Sequence, residues 1–396
     1  MSALEDHGGS TIAEVEEEDR LDAADEKKSV EIQSKTAEDK ERRNGEIDGV
    51  SNVVAEEVDA RGAEEKAWKQ QEAPPKLGYF CEPNQNLKLD AFKMFFFHML
   101  PFTPIPHLLV AAILYWSYTR HGVKAFTFFL TLIAVLAMAP IYYSPTYQRF
   151  VREPLYRLFA RYVPKAQYGV PEKPFPKNKS YIFAAHPHGR MFFSNVIFTQ
   201  LHEDWRKGIL EQGSILMAIA GNFFYIPILN LIFSLAGGVL ATRSSIVSTL
   251  RKGNHICILI GGIKEVLMGT EEHFDRIYLN KRKGFIKIAL EEGAGVVPVY
   301  YFNENQLFRH NSKGVIRIFE HINKFYYRLG MPFFQGPYYL PLPYRKSLLI
   351  AIGEPLFAKE GESVDSFHER YVQALRDLFE KYRPYSPDPT IQLDIQ

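Results

Sequence analysis

Two histidines lie two residues apart in the run His186-Pro187-His188-Gly189. The run follows an apolar stretch at 181–185 that is typical of a buried strand, and it precedes a segment with helical spacing. In open α/β sheets, reactive groups gather at the carboxyl ends of strands, where the next helix offers unpaired N–H groups to an oxyanion. A neutral imidazole at such a position can take a proton from an alcohol near pH 7. Two histidines in a surface turn are the alternative interpretation, and spacing alone leaves both open.

Two carboxylates are candidates for orienting a catalytic histidine. Glu265 comes just after a Gly-Gly turn that closes the apolar run at 255–260, so we expect it at a strand's carboxyl end as well. Glu304 follows a second apolar run at 296–302. A carboxylate that only stabilises the start of a helix is an equally good interpretation of Glu265.

A basic run stands directly ahead of a predicted helix and consists of Lys281, Arg282 and Lys283. Three neighbouring cations could attract the phosphates of a ligand. A run of this kind is more often a solvated face, and the sequence does not decide between the two.

The elements that must position these residues alternate between short apolar runs and longer amphipathic ones. We predict strands at 181–185, 215–220, 255–260, 296–302 and 347–352. We predict helices between them at 190–202, 245–252 and 284–292, and a last helix with Ser366 and Glu369 spaced for a capping box and Pro384 at its end. This alternation predicts an α/β fold with a largely parallel sheet.

The charge distribution divides the chain. Residues 1–72 hold 22 acidic and 10 basic side chains and leave 24 acidic and 37 basic ones to the remainder. The first part has no sustained apolar stripe, so it cannot bury enough surface to offset its ordering entropy. We predict a disordered acidic tail at 1–72, a membrane hairpin region at 73–146 and an α/β domain at 147–396.

Two apolar runs define the hairpin region, at 94–118 and 125–143, and neither contains Lys, Arg, Asp or Glu. The second is long enough to span roughly 28 Å as a helix, close to the hydrocarbon thickness of a bilayer. The linker at 119–124 is too short for a domain, so both flanks should share one side, and their excess of cations predicts the cytosolic side for both termini. A buried hairpin in the core of a soluble protein is the alternative.

Six motifs occur in the order in which the type-2 diacylglycerol acyltransferase family carries them. They are His186-Pro-His-Gly189, Ala220-Gly-Asn-Phe223, Gly261-Gly-Ile-Lys-Glu265, Arg282-Lys-Gly-Phe285, Val297-Pro-Val-Tyr-Tyr-Phe302 running into Glu304-Asn305, and Gly353-Glu-Pro355. An apolar hairpin ahead of the first motif is a further point of likeness. The chain therefore resembles this family over residues 79–382.

The resemblance implies a membrane-anchored glycerolipid-acyltransferase-like domain that makes triacylglycerol from diacylglycerol and acyl-CoA, with no metal or bound cofactor. It implies the endoplasmic reticulum membrane as the location, with the lipid bilayer and the lipid droplet surface as partners. By position, the catalytic residues are His188, His186, Glu265 and Gly189. By position, the substrate-binding residues are Asn222, Arg282, Lys283, Glu304 and Asn305.

His188 is the expected base, because some relatives carry Glu where His186 stands but keep the second histidine. We expect the N–H groups at the start of the helix after Gly189 to hold the tetrahedral oxyanion. The chain departs from the family at Asn303, where Gly is usual, and at 334–342, where a Gly-rich loop is usual. Asn also enters positive φ, so the first departure should be tolerated, whereas the second leaves the acceptor open.

Several alternatives remain at this point. Monoacylglycerol and wax-alcohol acyltransferases belong to the same family, so the acceptor could differ. A His-x-His pair at a strand end also begins the site of some metal-dependent hydrolases, which would need further ligands such as His310. A scaffold protein anchored to lipid droplets is a non-enzymatic alternative. Cys257 is expected to be an inert core thiol. No nucleic-acid partner is expected, and a homo-oligomer is compatible with the sequence.

Overall fold

The fold is described from a computed structural model. It describes residues 75–80, 92, 105–138, 157–200, 210, 213–224, 229–230, 233–234, 237–268, 273–310, 334–337 and 342–396. The predicted acidic tail at 1–72 lies outside the described residues, as do the outer parts of the two apolar runs, at 94–104 and 139–143. The predicted domain boundaries stay predictions.

The described residues form a mixed α/β fold around a large sheet. In chain order its strands are β1 (Leu77–Tyr79), β2 (Ala166–Gly169), β3 (Tyr181–His186), β4 (Ile215–Ile219), β5 (Gly238–Leu240), β6 (His255–Leu259), β7 (Phe274–Ile277), β8 (Gly295–Phe302), β9 (Arg309–His310), β10 (Phe334–Gln335), β11 (Leu348–Ile352) and β12 (Gln392–Ile395). The helices are α1 (Ile105–Met138), α2 (Phe193–Gln200), α3 (Gly221–Phe224), α4 (Arg243–Arg251), α5 (Gly262–Leu267), α6 (Gly284–Glu292) and α7 (Val364–Tyr382). Short 3₁₀ turns follow at Glu304–Gln306 and Arg383–Tyr385.

Eight strands form the main sheet in the order β1-β2-β11-β8-β3-β6-β4-β5. Strand β3 runs parallel to both of its neighbours, β8 and β6, and the parallel arrangement continues through β4 to β5. Strand β11 is antiparallel to β8, and β1 is antiparallel to β2. Two small sheets pair β9 with β10 and β7 with β12. The predicted, largely parallel α/β sheet is therefore confirmed for the strands around the histidine run.

Apolar side chains cover both faces of this sheet. In β3, Phe183 belongs to the core on one face, while Ile182 and Ala184 belong to the core on the other. Successive strand residues point to opposite faces, so a strand covered on both sides must be apolar throughout. This is the physical reason that the five strongest apolar runs predicted strands to within one residue of their observed ends.

Helix α2 begins three residues later than predicted, at Phe193 rather than at 190. Gly189 and Phe192 both have positive φ, of 63° and 44°, which right-handed helical backbone does not allow. The histidine run therefore continues into a turn before the helix starts. The last helix is also corrected, because its cap is Ser363, whose side chain accepts a hydrogen bond from the Ser366 N–H. The predicted capping box between Ser366 and Glu369 is wrong by one turn.

Helix α1 covers 34 residues and is interrupted at Gly122, where φ is 73° and ψ is −170°. The interruption falls inside the predicted linker at 119–124. Many apolar side chains of α1 are 42–71% exposed, namely Leu108, Leu109, Ile113, Tyr115, Trp116, Tyr118, Val123, Phe128, Leu130 and Leu132. Within the part of the chain that the structure describes, no helix is both long enough and apolar enough to cross a membrane.

Candidate active site

The site lies where three parallel neighbours, β8, β3 and β6, end at the same edge of the sheet. His186 is the last residue of β3. The Gly-Gly turn and Glu265 follow β6, and Glu304 follows β8. The topology therefore brings together the histidine run and both predicted carboxylates.

His188 has the geometry of a neutral base. Its Nδ1 lies 2.9 Å from the Gly189 carbonyl oxygen, and because a carbonyl can only accept, Nδ1 must carry the proton. The other nitrogen, Nε2, is then left with a lone pair. Burial lowers the pKa of the His188 imidazole, partly offset by the Gly189 hydrogen bond. His188 as a whole is partly exposed, and a neutral imidazole at this position can accept a proton from a hydroxyl at physiological pH.

His186 is fully buried and contacts helix α7. Its Nε2 lies 3.1 Å from the Tyr371 hydroxyl, which donates its own proton to the Ala184 carbonyl at 3.1 Å. His186 must therefore donate from Nε2, and its Nδ1 has no partner among the described residues. Burial first, and the His368 charge second, lower the pKa of His186 to about 3. The catalytic role predicted for His186 is untested, and its position is that of a buried neutral side chain that anchors the end of β3.

Glu265 holds the backbone of the histidine run rather than a histidine ring. One carboxylate oxygen accepts the His188 N–H, and the other accepts the Tyr278 N–H at 3.0 Å. Burial raises the pKa of Glu265 to about 7, although these two hydrogen bonds and Arg282 act in the opposite direction. Both of these hydrogen bonds come from backbone donors and not from an imidazole, and our expectation that Glu265 orients the imidazole stays a prediction.

Glu304 occupies the start of helix α2. Its oxygens accept the N–H groups of Phe193 at 2.8 Å and Ser194 at 2.9 Å. The N–H groups that we expected to hold an oxyanion are thus taken by a buried carboxylate, whose pKa burial raises to about 7. A Cβ on Gly189 would lie 2.4 Å from the Glu304 Cγ. The close approach of Glu304 therefore requires glycine at position 189.

Asp275 was not predicted from the sequence, although it belongs to the same network. It is buried, and it accepts hydrogen bonds of 2.7 Å from the Tyr300 hydroxyl and from the Asn305 amide. Asn305 donates to Asp275 in this structure, and its predicted role in substrate binding stays a prediction. A single acidic residue in the short run Phe274–Ile277 predicts neither a strand nor a buried network, and its parity with the buried Ile277 is the one signal the sequence offers.

The basic run divides into two different environments. Arg282 Nη2 donates to the Gly261 carbonyl at 3.3 Å, and its guanidinium lies 5.1 Å from the centre of the Tyr278 ring. Its Nε is buried and makes no hydrogen bond to a described residue. Lys283 forms an ion pair of 2.7 Å with Asp365. Both partners of that pair are substantially exposed, so it is weak and a phosphate could replace the carboxylate.

The remaining predicted residues are placed as follows. Asn222 is exposed on α3, which follows β4 at the same edge, two strands away from β3. Asn303 has φ of 72°, which fits our expectation that Asn replaces Gly there, and its amide donates to the Ser347 carbonyl at 3.1 Å. Cys257 is buried and donates to the Asn195 side chain at 2.9 Å, and burial raises the pKa of its thiol to about 12. Such a thiol is unreactive, as predicted.

A metal site would need several ligating side chains close together. Among the described residues, no group of three or more His, Cys, Asp or Glu side chains has an arrangement that could hold a metal ion. His310, the further ligand considered for a hydrolase, lies in β9, which pairs with β10. The described residues thus do not assemble the ligand set that a metal-dependent hydrolase would require.

Sequence comparison assigns most of the chain to one family. The profile described as diacylglycerol acyltransferase matches residues 125–396. Diacylglycerol O-acyltransferase 2 of Dictyostelium discoideum is 31% identical over 247 residues, which cover 58% of this chain and 73% of that protein. Diacylglycerol O-acyltransferase 1 of Eremothecium gossypii is 31% identical over 218 residues, covering 51% of this chain but only 47% of that protein. 2-Acylglycerol O-acyltransferase 1 of Mus musculus is 28% identical and covers 58% and 72%.

Structural comparison gives a weaker likeness. A 1-acyl-sn-glycerophosphate acyltransferase from Thermotoga maritima is 16% identical, with a TM-score of 0.36, and the match covers 70% of this chain and 97% of that one. A likeness of this size assigns no role to any residue.

Proposed function

Because the chain belongs to the diacylglycerol acyltransferase family, we propose that it transfers an acyl group from acyl-CoA to the free hydroxyl of diacylglycerol. Triacylglycerol and coenzyme A are the products. The observation that carries this proposal is the imidazole of His188, held by the Gly189 carbonyl with Nε2 unprotonated at a partly exposed strand end.

In the proposed reaction, His188 Nε2 removes the proton from the acceptor hydroxyl as its oxygen attacks the thioester carbonyl carbon. The carbon–sulfur bond breaks when the tetrahedral intermediate collapses. The imidazolium then returns its proton to the coenzyme A thiolate, so the histidine ends the cycle neutral. The low pKa of His188 favours this second proton transfer, because burial disfavours the imidazolium.

Glu265 and Glu304 support the reaction through the backbone. Ionised Glu265 fixes the peptide N–H of His188, and ionised Glu304 fixes the first turn of α2 and lies against Gly189. Neither carboxylate needs to touch the substrate. We assign Arg282 to the phosphates of coenzyme A, since its buried Nε is a donor without a described partner; Lys283 would join it by leaving Asp365.

The acceptor is the least constrained part of this proposal. The mouse relative is named 2-acylglycerol O-acyltransferase 1, so the name of a similar chain gives a different acceptor. The test is an assay of the purified full-length chain with labelled acyl-CoA and diacylglycerol, monoacylglycerol, a long-chain alcohol or a sterol. We expect triacylglycerol to form fastest. Faster esterification of another alcohol would change the acceptor, and no transfer to any alcohol would overturn the proposed activity.

The proposal includes attachment to a lipid surface through α1. Soluble domains rarely expose so many apolar side chains on helical segments, whereas helical segments in contact with lipid do. The exposed aromatic side chains Tyr115, Trp116 and Tyr118 lie close to the interruption at Gly122, and such rings favour the headgroup region. We place the enzyme on the endoplasmic reticulum membrane and on lipid droplets, with both termini in the cytosol.

Protease treatment of sealed microsomes tests this topology. Epitopes at residues 20 and 390 should both be cleaved without detergent. If either epitope is protected until detergent is added, at least one terminus does not lie in the cytosol.

A further inference from the structure

Asp275 is a buried carboxylate that the proposed reaction leaves without a task. It lies on β7, in the small sheet formed with β12, and is 1% exposed. Its two oxygens accept 2.7 Å hydrogen bonds from two different elements, the Tyr300 hydroxyl of β8 and the Asn305 amide of the following 3₁₀ turn. Burying a carboxylate costs free energy unless its oxygens are satisfied, so this arrangement fixes the three residues relative to one another.

Both partners of Asp275 lie beside parts of the candidate site. Asn305 is the direct neighbour of Glu304, which holds the start of α2 and lies against Gly189. Tyr300 is aligned with His186 in the register between β8 and β3. A shift of Asp275 would therefore displace Asn305 beside Glu304 and Tyr300 beside His186, and both lie next to the histidine run.

We infer that Asp275 is a positioning residue for acyl transfer, acting through Asn305 and Tyr300 to keep Glu304 in place beneath the His188–Gly189 turn. The inference deepens the proposed function and rests on it. Asp275 reaches no reacting atom itself, so its effect should be on turnover more than on substrate binding.

The charge of Asp275 provides a second, independent readout. It raises the pKa values of Glu265 and Glu304, whereas Arg282 lowers the pKa of Glu265. The pKa of Asp275 itself is raised by burial and by the charge of Asp388, and lowered by the hydrogen bond from Tyr300. The ionised glutamates accept two N–H groups each, so activity should fall as the pH falls through about 7, where both become protonated. Removing the charge at 275 lowers both pKa values and should move this acidic limb of the turnover profile to lower pH.

A reciprocal exchange tests the inference on the full-length chain. In Asp275→Asn the amide oxygen can accept from Asn305 only if the amide NH2 turns toward the Tyr300 hydroxyl, which reverses that hydrogen bond and removes the charge. We expect turnover to fall about tenfold with little change in KM. The double variant Asp275→Asn with Asn305→Asp restores one carboxylate and one hydrogen bond in the opposite direction. It should recover turnover to within about threefold of the parent and return the acidic limb toward its original pH.

Asp394→Asn is the matched control, because Asp394 lies on β12 of the same small sheet but is partly exposed and 3.8 Å from Arg276. It should leave turnover and the pH profile unchanged. Unchanged turnover and pH profile in Asp275→Asn would overturn the inference. So would a double variant that folds but turns over as slowly as the single one.

Hydrogen exchange separates failure of the inference from failure of the proposed function. If the parent chain esterifies no alcohol, the proposed function fails, yet the positioning role can still be measured. Amides of residues 188–196 should exchange faster in Asp275→Asn than in the parent and the control. Equal exchange in all three proteins would overturn the inference on structural grounds alone.

Discussion

A backbone carbonyl, rather than a carboxylate, fixes the tautomer of His188. A carboxylate partner would stabilise the imidazolium and raise the pKa of the histidine, whereas the Gly189 carbonyl orients the ring with a smaller effect. The result is a base that stays neutral across the physiological range. This partner could not be found from the sequence, because every residue has a carbonyl and only the turn decides where it points.

The carboxylates near His188 were predicted as residues but not as contacts. Their positions after β6 and β8 follow from the topology of a parallel sheet, and the apolar runs before them made those strands predictable. What each side chain accepts depends on backbone N–H groups of Tyr278, Phe193 and Ser194, which have no signal of their own. The residue types thus indicated where the site lies, whereas its hydrogen bonds could be identified only from the folded structure.

Glu265 should make stability depend on pH in a particular direction. Its pKa is raised from 4.5 to about 7 in the folded chain, so the folded state binds more protons than the unfolded state between these values. Protonated Glu265 therefore contributes about 3 kcal/mol to the free energy of unfolding below pH 4.5, and this contribution is lost as the pH rises through about 7. His186, with its pKa lowered to about 3, acts in the opposite direction, so a difference between variants is needed.

The measurement is the free energy of unfolding of the parent and of Glu265→Gln from pH 4.5 to 8 in one detergent. The free energy of unfolding of the parent minus that of the variant should decrease as the pH rises. Glu369→Gln, which changes an exposed glutamate on α7, should show a constant difference. A constant difference for Glu265→Gln as well would mean that Glu265 is not protonated in this range.

At the scale of elements, the turn between β3 and α2 is built around Gly189. Its φ of 63° belongs to the left-handed region, and its Cα lies against Glu304. Gly189→Ala should displace the Glu304 side chain, release the first turn of α2 and lower turnover at least about tenfold. Gly293→Ala is the control, because Gly293 has φ of 61° but open space around it.

Both variants share the cost of a left-handed alanine, roughly 1 kcal/mol. Only Gly189→Ala adds the contact with Glu304. Initial rates normalised to folded protein compare the two, and equal rates would show that Glu304 does not transmit the strain to the site.

Strands that are buried on both faces of the sheet were predicted correctly, whereas short strands and the start of α2 were not. The strands β3, β6 and β8 are apolar apart from His186 at the end of β3 and His255 at the start of β6, as expected of strands covered on both faces. The short strands β7 and β12 were missed, since four residues of mixed polarity carry no period. The start of α2 was misplaced because positive φ at Phe192, a bulky residue, is imposed by the fold and not by propensity.

At the scale of the whole molecule, the family match does not include the acidic tail. The match begins at residue 125. Deleting residues 2–72 should therefore leave turnover per folded molecule unchanged within about twofold, since a solvated acidic segment adds no core contacts. Initial rates of the two proteins in matched membranes check this, with the amount inserted measured separately. A large fall in turnover at equal insertion would indicate a regulatory tail.

His188 is proposed to serve as the base of the acyl transfer. Initial rates of triacylglycerol formation from labelled acyl-CoA and diacylglycerol, compared between the parent and His188→Ala at equal amounts of folded protein, test it most directly. We expect turnover to fall by a factor of roughly 10² to 10⁴, the loss typical of a missing general base, with unfolding unchanged. Near-normal turnover in folded His188→Ala would contradict the account and leave the chemistry to another residue.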